Sequence, residues 1–165
     1  MNDELDHLMD LVSRQKDVYD HLLALAIRKK QAIVTGNVGE MDDVVAAEET
    51  LLIHVGELEG IRRQIARTVA ERCAIEVEEL TLSNWPGLDT ERRIQVENLQ
   101  NSFRHTLIDI GKINQVNSRL LTIHLQYVQS VINEVTATRQ LNSYEADGSP
   151  LVRRIQALNL IDEVM

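Results

Sequence analysis

Residues that interrupt helices are scarce in this chain. It has 2 prolines and 7 glycines among 165 residues, and aromatic side chains make up only 3%. Loops are rich in glycine and proline, and sheets are rich in aromatic residues, so this composition disfavours both. The sequence therefore predicts an all-α fold.

Three further absences narrow the class of protein. A single cysteine, Cys73, allows no internal disulfide. No apolar run resembles a signal peptide or approaches the roughly twenty residues of a membrane span. Basic side chains number 17 against 26 acidic ones, and the resulting formal charge of -9 repels nucleic acid and anionic lipid. We expect a cytoplasmic protein that neither spans a membrane nor binds nucleic acid.

Apolar residues recur at helical spacing in three long segments, residues 3–34, 38–73 and 90–141. Between the first two, Gly36 can end one helix and Asn37 can cap the next. The third segment is the longest and repeats apolar residues in steps of three and four, as bundle helices do. Its stripe comprises Val96, Leu99, Phe103, Leu107, Ile110, Ile113, Leu120, Leu121, Val128, Val131, Val135 and Leu141. We expect an elongated antiparallel bundle of three long helices over residues 1–141.

Two other stretches break this periodicity. The sequence Ser83-Asn84-Trp85-Pro86-Gly87 predicts a connection in which Trp85 packs onto the end of the bundle. Residues 142–150 form a polar segment that predicts a loop, and residues 151–165 have the apolar spacing of a short amphipathic helix. Fifteen residues are too few for a stable helix alone in water, so we expect this terminal segment to dock onto the bundle, a neighbouring copy or a client.

Residue patterns that support catalysis or metal binding are weak. Only Glu4 and His7 have the Glu-x-x-His spacing of a di-iron bundle, which needs two such pairs. Nucleotide-binding and nucleophile motifs are absent from the sequence. We therefore expect no catalytic, cofactor or metal site, and no enzyme. Asn114 and Asn117 fall on the stripe of the longest segment, where they either fix the register of the bundle or contact a partner; the structural role is favoured.

The order of several short motifs resembles the FlgN family of flagellar export chaperones. These are Leu22-Leu23 with the basic run Arg28-Lys29-Lys30, then Glu48-Glu49-Thr50-Leu51-Leu52, Glu59-Gly60-Ile61-Arg62-Arg63, Asn114-x-x-Asn117-x-x-Leu120-Leu121, and the segment from Tyr144 to Gly148. The resemblance implies a cytoplasmic chaperone of the flagellar type III export system. It also implies that the clients are hook-associated proteins, held through the C-terminal region.

Together, these observations give a specific hypothesis for binding. Residues 142–165 form a loop and a client-binding segment, and the family motif supplies structural or binding residues at Asn114, Asn117, Leu120 and Leu121. Export apparatus components and a second copy of the chain are further partners that this hypothesis allows. The alternative is a structural or signalling bundle that dimerises through its long helix and C-terminal segment. The expected partner-binding residues are Val128, Val131, Val135, Tyr144, Leu151, Ile155, Leu158 and Ile161.

Overall fold

The described part of the chain consists of helices and turns. A computed structural model describes the backbone of residues 2–141 and the side chains of residues 3–137. Helices α1 (Asn2–Thr35), α2 (Val38–Cys73) and α3 (Thr90–Leu141) are joined by a tight turn and by a connection that contains two short 3₁₀ turns, Val77–Glu79 and Leu82–Asn84. Within residues 2–141 there is no strand, which confirms the all-α prediction. The helix ends lie within one residue of the predicted ones.

The chain divides into two compact units, residues 1–121 and residues 122–165, and α3 contributes residues to both. The predicted short C-terminal helix lies outside the described residues. The predicted division into a bundle over residues 1–141 and a binding segment over residues 142–165 stays a prediction.

The turn between α1 and α2 has the conformation that its sequence predicts. Gly36 adopts a positive φ of 65°, which costs glycine little because it has no Cβ. The side chain of Asn37 accepts a hydrogen bond from the backbone N–H of Glu40 at 3.1 Å and so caps α2. The chain can therefore reverse direction with a single residue, Asn37, between the hydrogen-bonded turn and the next helix.

Ion pairs establish that α1 and α2 run antiparallel. Glu4 near the start of α1 contacts Arg72 near the end of α2 at 2.6 Å. Lys29 near the end of α1 contacts Glu48 in the first half of α2. Lys29 and Glu48 are charged residues that each interrupt the apolar stripe of their helix. The fold brings these two side chains into contact. Each charge thus has its counter-ion where an unpaired charge would be costly.

Residues 92–117 of α3 lie along α1 in the same chain direction. Three contacts show this: Arg92 Nη1 to Asp6 Oδ1 at 2.9 Å, the rings of Phe103 and Tyr19 with centroids 5.1 Å apart, and Thr106 Oγ1 to Asp20 Oδ1 at 2.7 Å. From one contact to the next, the residue numbers increase along both helices. In the first unit α2 is therefore antiparallel to both α1 and this part of α3.

The connection between α2 and α3 closes one end of the first unit. Trp85 is only 3% exposed and belongs to a core cluster with Leu5, Leu8 and Val69. The prediction that this tryptophan packs onto the bundle end is confirmed. Asp89 then caps α3, because its side chain accepts a hydrogen bond from the backbone N–H of Arg92 at 2.8 Å.

A polar cluster at the middle of α2 centres on Glu59. Its carboxylate accepts hydrogen bonds from Arg62 Nε at 2.7 Å, from Arg63 Nε at 2.9 Å, and from the buried Gln15 of α1 at 3.4 Å. Arg62 first, and Arg63 and Gln15 with it, stabilise the charged carboxylate and lower the pKa of Glu59 from its ordinary value of 4.5 to about 2. The ionised form of Glu59 therefore stabilises the fold.

Replacing Glu59 by Gln should lower the free energy of unfolding by about 1 kcal/mol at pH 7, because the cluster loses the carboxylate at its centre. The contribution of Glu59 is fully present above pH 4.5 and is lost as the pH falls towards the folded-state pKa of about 2. The melting temperatures of the wild type and the variant should accordingly converge below pH 4.5. Glu49→Gln, on the exposed side of the same helix, is the control and should show no such convergence; equal behaviour of both variants would contradict the assignment.

Candidate partner-binding surface

Of the two asparagines that the sequence placed on the buried face of the longest helix, only Asn117 is buried. It is 3% exposed, and its Nδ2 donates a hydrogen bond to the backbone carbonyl of Ala26 at 2.8 Å. Its Oδ1 is buried with no hydrogen-bond partner among the described residues. Asn114 is exposed, so the expectation that it lies on the buried face is wrong. The face of α3 towards α1 steps from Ile113 to Asn117, and Asn114 lies about 100° away from Ile113 around the helix.

A second correction concerns Leu107, which the sequence placed on the buried stripe. It is 45% exposed, and the neighbouring Thr106 takes the buried position. The hydroxyl of Thr106 donates a hydrogen bond to Asp20 on α1. Steps of three and four from Phe103 through Thr106 to Ile110 keep to one face, and Leu107 falls beside it.

Replacing Asn117 by Leu should keep or raise the melting temperature, because it removes a buried oxygen without a partner and adds apolar surface at a similar volume. The stability gain should be about 1 kcal/mol, accompanied by less specific alignment of α3 along α1. Thermal unfolding and amide hydrogen exchange of α1 and α3 measure the two effects. Asn114→Leu is the matched control and should change stability by less than about 0.5 kcal/mol. A clear loss of stability in the Asn117 variant alone would show that the hydrogen bond to Ala26 is required for packing.

Beyond the first unit, the described side chains of α3 are exposed, and many of them are apolar. Every residue from 121 to 137 is exposed. The three predicted partner-binding residues in this part, Val128, Val131 and Val135, are 51%, 39% and 50% exposed. Of the family-motif leucines, Leu120 is half-buried and Leu121 is exposed. The predicted residues Tyr144, Leu151, Ile155, Leu158 and Ile161 lie outside the described residues.

Two exposed residues that the sequence prediction missed complete this surface. Leu125 is 70% exposed and Ile132 is 52% exposed. At about 100° per residue they fall within the same third of the helix circumference as the three valines. The sequence could have identified both residues. Leu125 lies three residues before Val128, and Ile132 lies four residues after Val128 and three before Val135. We call this surface the α3 stripe, and it consists of Leu125, Val128, Val131, Ile132 and Val135.

The opposite side of this part of α3 is mainly polar, although it also carries the exposed Ile123. Gln126, Gln129, Ser130 and Asn133 lie there, and Gln129 donates a hydrogen bond to Asn133 at 3.0 Å. An exposed helix in water favours a polar surface all round, whereas a helix with one apolar face is typical of a binding surface. The α3 stripe is therefore the candidate partner-binding surface.

The register of the α3 stripe continues that of the buried face of the same helix. Positions 96, 103, 110 and 117 follow at intervals of seven, and they are buried or half-buried. The same interval leads on to His124 and Val131, which are exposed. A heptad interval keeps residues on nearly the same side of a helix. The face of α3 that is buried up to residue 117 thus continues in the sequence beyond residue 121, where the described side chains are exposed.

The first unit also contains an open cleft of about 690 Å³, lined by both apolar and charged side chains. Tyr19 and Phe103 form part of its wall, and Arg62 and Arg63 lie beside them. Both arginines bind the single carboxylate of Glu59, which compensates the charge of only one of them.

Among the described residues, no group of three or more His, Cys, Asp or Glu side chains could hold a metal ion. In residues 2–141, no helix is both long and apolar enough to cross a membrane.

Comparison with known proteins gives one match. Residues 1–151 match the family model described as FlgN protein. Searches among curated proteins and among solved structures gave no significant match.

Proposed function

Because the chain belongs to the FlgN family of flagellar export chaperones, we propose that it binds the hook-associated proteins of the hook-filament junction before their type III export. Binding in the cytoplasm would prevent these clients from associating prematurely. The family consists of chaperones and not of enzymes, and we propose that this member likewise has no catalytic site. Its work is to cover an apolar surface of the client until export.

The observation that carries the proposal is the exposed α3 stripe. Five aliphatic residues on one side of a helix can bind the apolar face of a client helix, as helix-in-groove recognition does. Burying an aliphatic side chain contributes about 1.5 to 3 kcal/mol, so a few of these residues can dominate a modest interface after ordering costs. The formal charge of -9 further disfavours nonspecific binding to nucleic acid.

The C-terminal segment supplies the second part of the proposed client-binding site. In its sequence, Leu151, Ile155, Leu158 and Ile161 recur in steps of three and four. The family match ends at residue 151, so this part of the proposal rests on the amphipathic pattern of the chain itself. We propose that clients bind the region from Val128 to Met165, with Ile155, Leu158 and Ile161 as central anchors and Tyr144 in the preceding segment.

Two further interactions belong to the same proposal. Export apparatus components would receive the chaperone with its client, and a second copy of the chain could occupy the α3 stripe at high concentration. The alternative function is a structural or signalling bundle whose α3 stripe and C-terminal segment only join two copies. Sedimentation of the protein with and without a purified hook-associated protein separates these functions, because a chaperone gains a client and a structural bundle remains a homodimer.

Truncation after Ser149 should abolish binding of hook-associated proteins and shift the melting temperature only slightly. The removed residues include the proposed central anchors, whereas the buried apolar side chains of the described residues lie between Leu5 and Val96. Titration calorimetry with each purified hook-associated protein measures binding, and thermal unfolding checks the fold. If the truncated protein binds the client with unchanged affinity, or no longer folds, the segment is not a client-specific binding site.

The double substitution Val128→Glu and Val131→Glu should weaken client binding at least about 100-fold, because each variant side chain would place a charge in the apolar interface. Both positions are exposed, so the melting temperature should change little. Gln126→Glu with Asn133→Asp adds two negative charges on the polar side of α3 and is the matched control. Equal losses of affinity in the two variants would mean that net charge, and not the α3 stripe, governs binding.

A further inference from the structure

The open cleft of the first unit lies between two helices that do not pack against each other. In the described part of the chain, no Cα atom of α2 lies within 8 Å of a Cα atom of α3. Val12 and Gln15 of α1 are buried and form the floor of the cleft, and its sides come from α2, the connection and α3. A volume of about 690 Å³ is large enough to receive several side chains of a partner.

The charge in this cleft has the opposite sign to that of the whole chain. Three arginines, Arg62, Arg63 and Arg104, line it together with one carboxylate, that of Glu59. Arg63 donates to Glu59 through Nε at 2.9 Å, which leaves its two terminal nitrogens without an acceptor among the described residues. No acidic residue lies three or four positions from Arg104, and no described carboxylate pairs with it. Two positive charges therefore remain uncompensated in the cleft of a chain whose formal charge is -9.

Apolar side chains lie beside these arginines. The rings of Tyr19 and Phe103 are in contact, and both line the cleft. Leu107 follows Arg104 by three residues on α3, is 45% exposed, and also lines the cleft. Positions three apart are neighbours on a helix surface, so an aliphatic side chain lies next to a guanidinium. This lining fits a group that carries a carboxylate beside an apolar side chain, because arginine binds carboxylates through paired hydrogen bonds.

We propose that this cleft binds a segment of a protein partner in which an aspartate or glutamate lies beside aliphatic or aromatic side chains. The net charge of the chain disfavours long polyanions such as nucleic acid. One or two carboxylates respond mainly to the nearby arginines, because salt screens exposed charges beyond about 8 Å. A small soluble ligand fits less well, since such ligands are usually about 70 to 90% enclosed and this cleft is open. The cleft shares no residue with the α3 stripe, so this binding is additional to the proposed function.

Selection from a random peptide library tests the chemistry of the partner. The full-length wild-type chain is the bait for a phage-displayed library, and the full-length double variant Arg104→Glu, Leu107→Ser removes peptides that bind elsewhere. The retained peptides should carry Asp or Glu beside Leu, Ile, Val or Phe. Enrichment of basic or uncharged peptides would overturn the proposal, and so would a selection that enriches no sequence.

Single variants then locate the contact, with fluorescence anisotropy of a labelled, enriched peptide as the measurement. Arg104→Glu and Leu107→Ser should each raise the Kd at least about tenfold, because one removes the ion pair and the other the apolar contact. Arg119→Glu and Ile108→Ser are the matched controls and should change the Kd less than about twofold. Arg119 is exposed and also has no acidic residue three or four positions away, and Ile108 is 46% exposed; neither lines the cleft.

Equal effects of each variant and its control would overturn the proposal, because net charge or general surface hydrophobicity would then explain the binding. All four substitutions are at exposed positions, so the melting temperatures should change little. Thermal unfolding of each variant checks that the fold is retained. Since the probe is a selected peptide, the result does not depend on whether the chain binds hook-associated proteins.

Discussion

Burial of one continuous apolar face of α3 is the constraint on which the rest of this structure depends. In the first unit α1 covers that face, through contacts that run from Arg92 to Asn117. An uncovered aliphatic face in water costs free energy in proportion to its area. The heptad interval continues past residue 121 while the side chains become exposed. Covering the remaining face would therefore lower the free energy of the exposed aliphatic side chains.

Polar residues within the apolar stripes determine which alignment of the helices is chosen. Gln15 contacts Glu59, Lys29 contacts Glu48, and the Asn117 amide contacts the carbonyl of Ala26. Moving one helix by a turn would leave these buried or half-buried groups without partners, at a cost of about 1 to 3 kcal/mol for a buried group. Aliphatic contacts alone tolerate such a shift much better. Stability thus comes mainly from the apolar faces, and the alignment comes from the polar exceptions.

The sequence predicted the features whose causes are local. Gly36 and Asn37 predict the turn because the required backbone conformation and the cap are properties of those residues. The exposure of Asn114 and Leu107 was not predictable in this way, since each lies beside an apolar stripe and its burial depends on where α1 approaches α3. Leu125 and Ile132 had the spacing of the stripe and could have been included. Whether a stripe is buried or exposed depends on its neighbours, and periodicity alone identifies only the face.

On the proposed function, the α3 stripe has to bind a client and also to release it. The net free energy of client binding is the gain from burying these aliphatic side chains minus the costs of association and ordering. Only one side of the helix contributes to that burial, because the stripe has few aliphatic residues and most of the opposite side is polar. A small apolar surface of this kind therefore favours binding that is reversible.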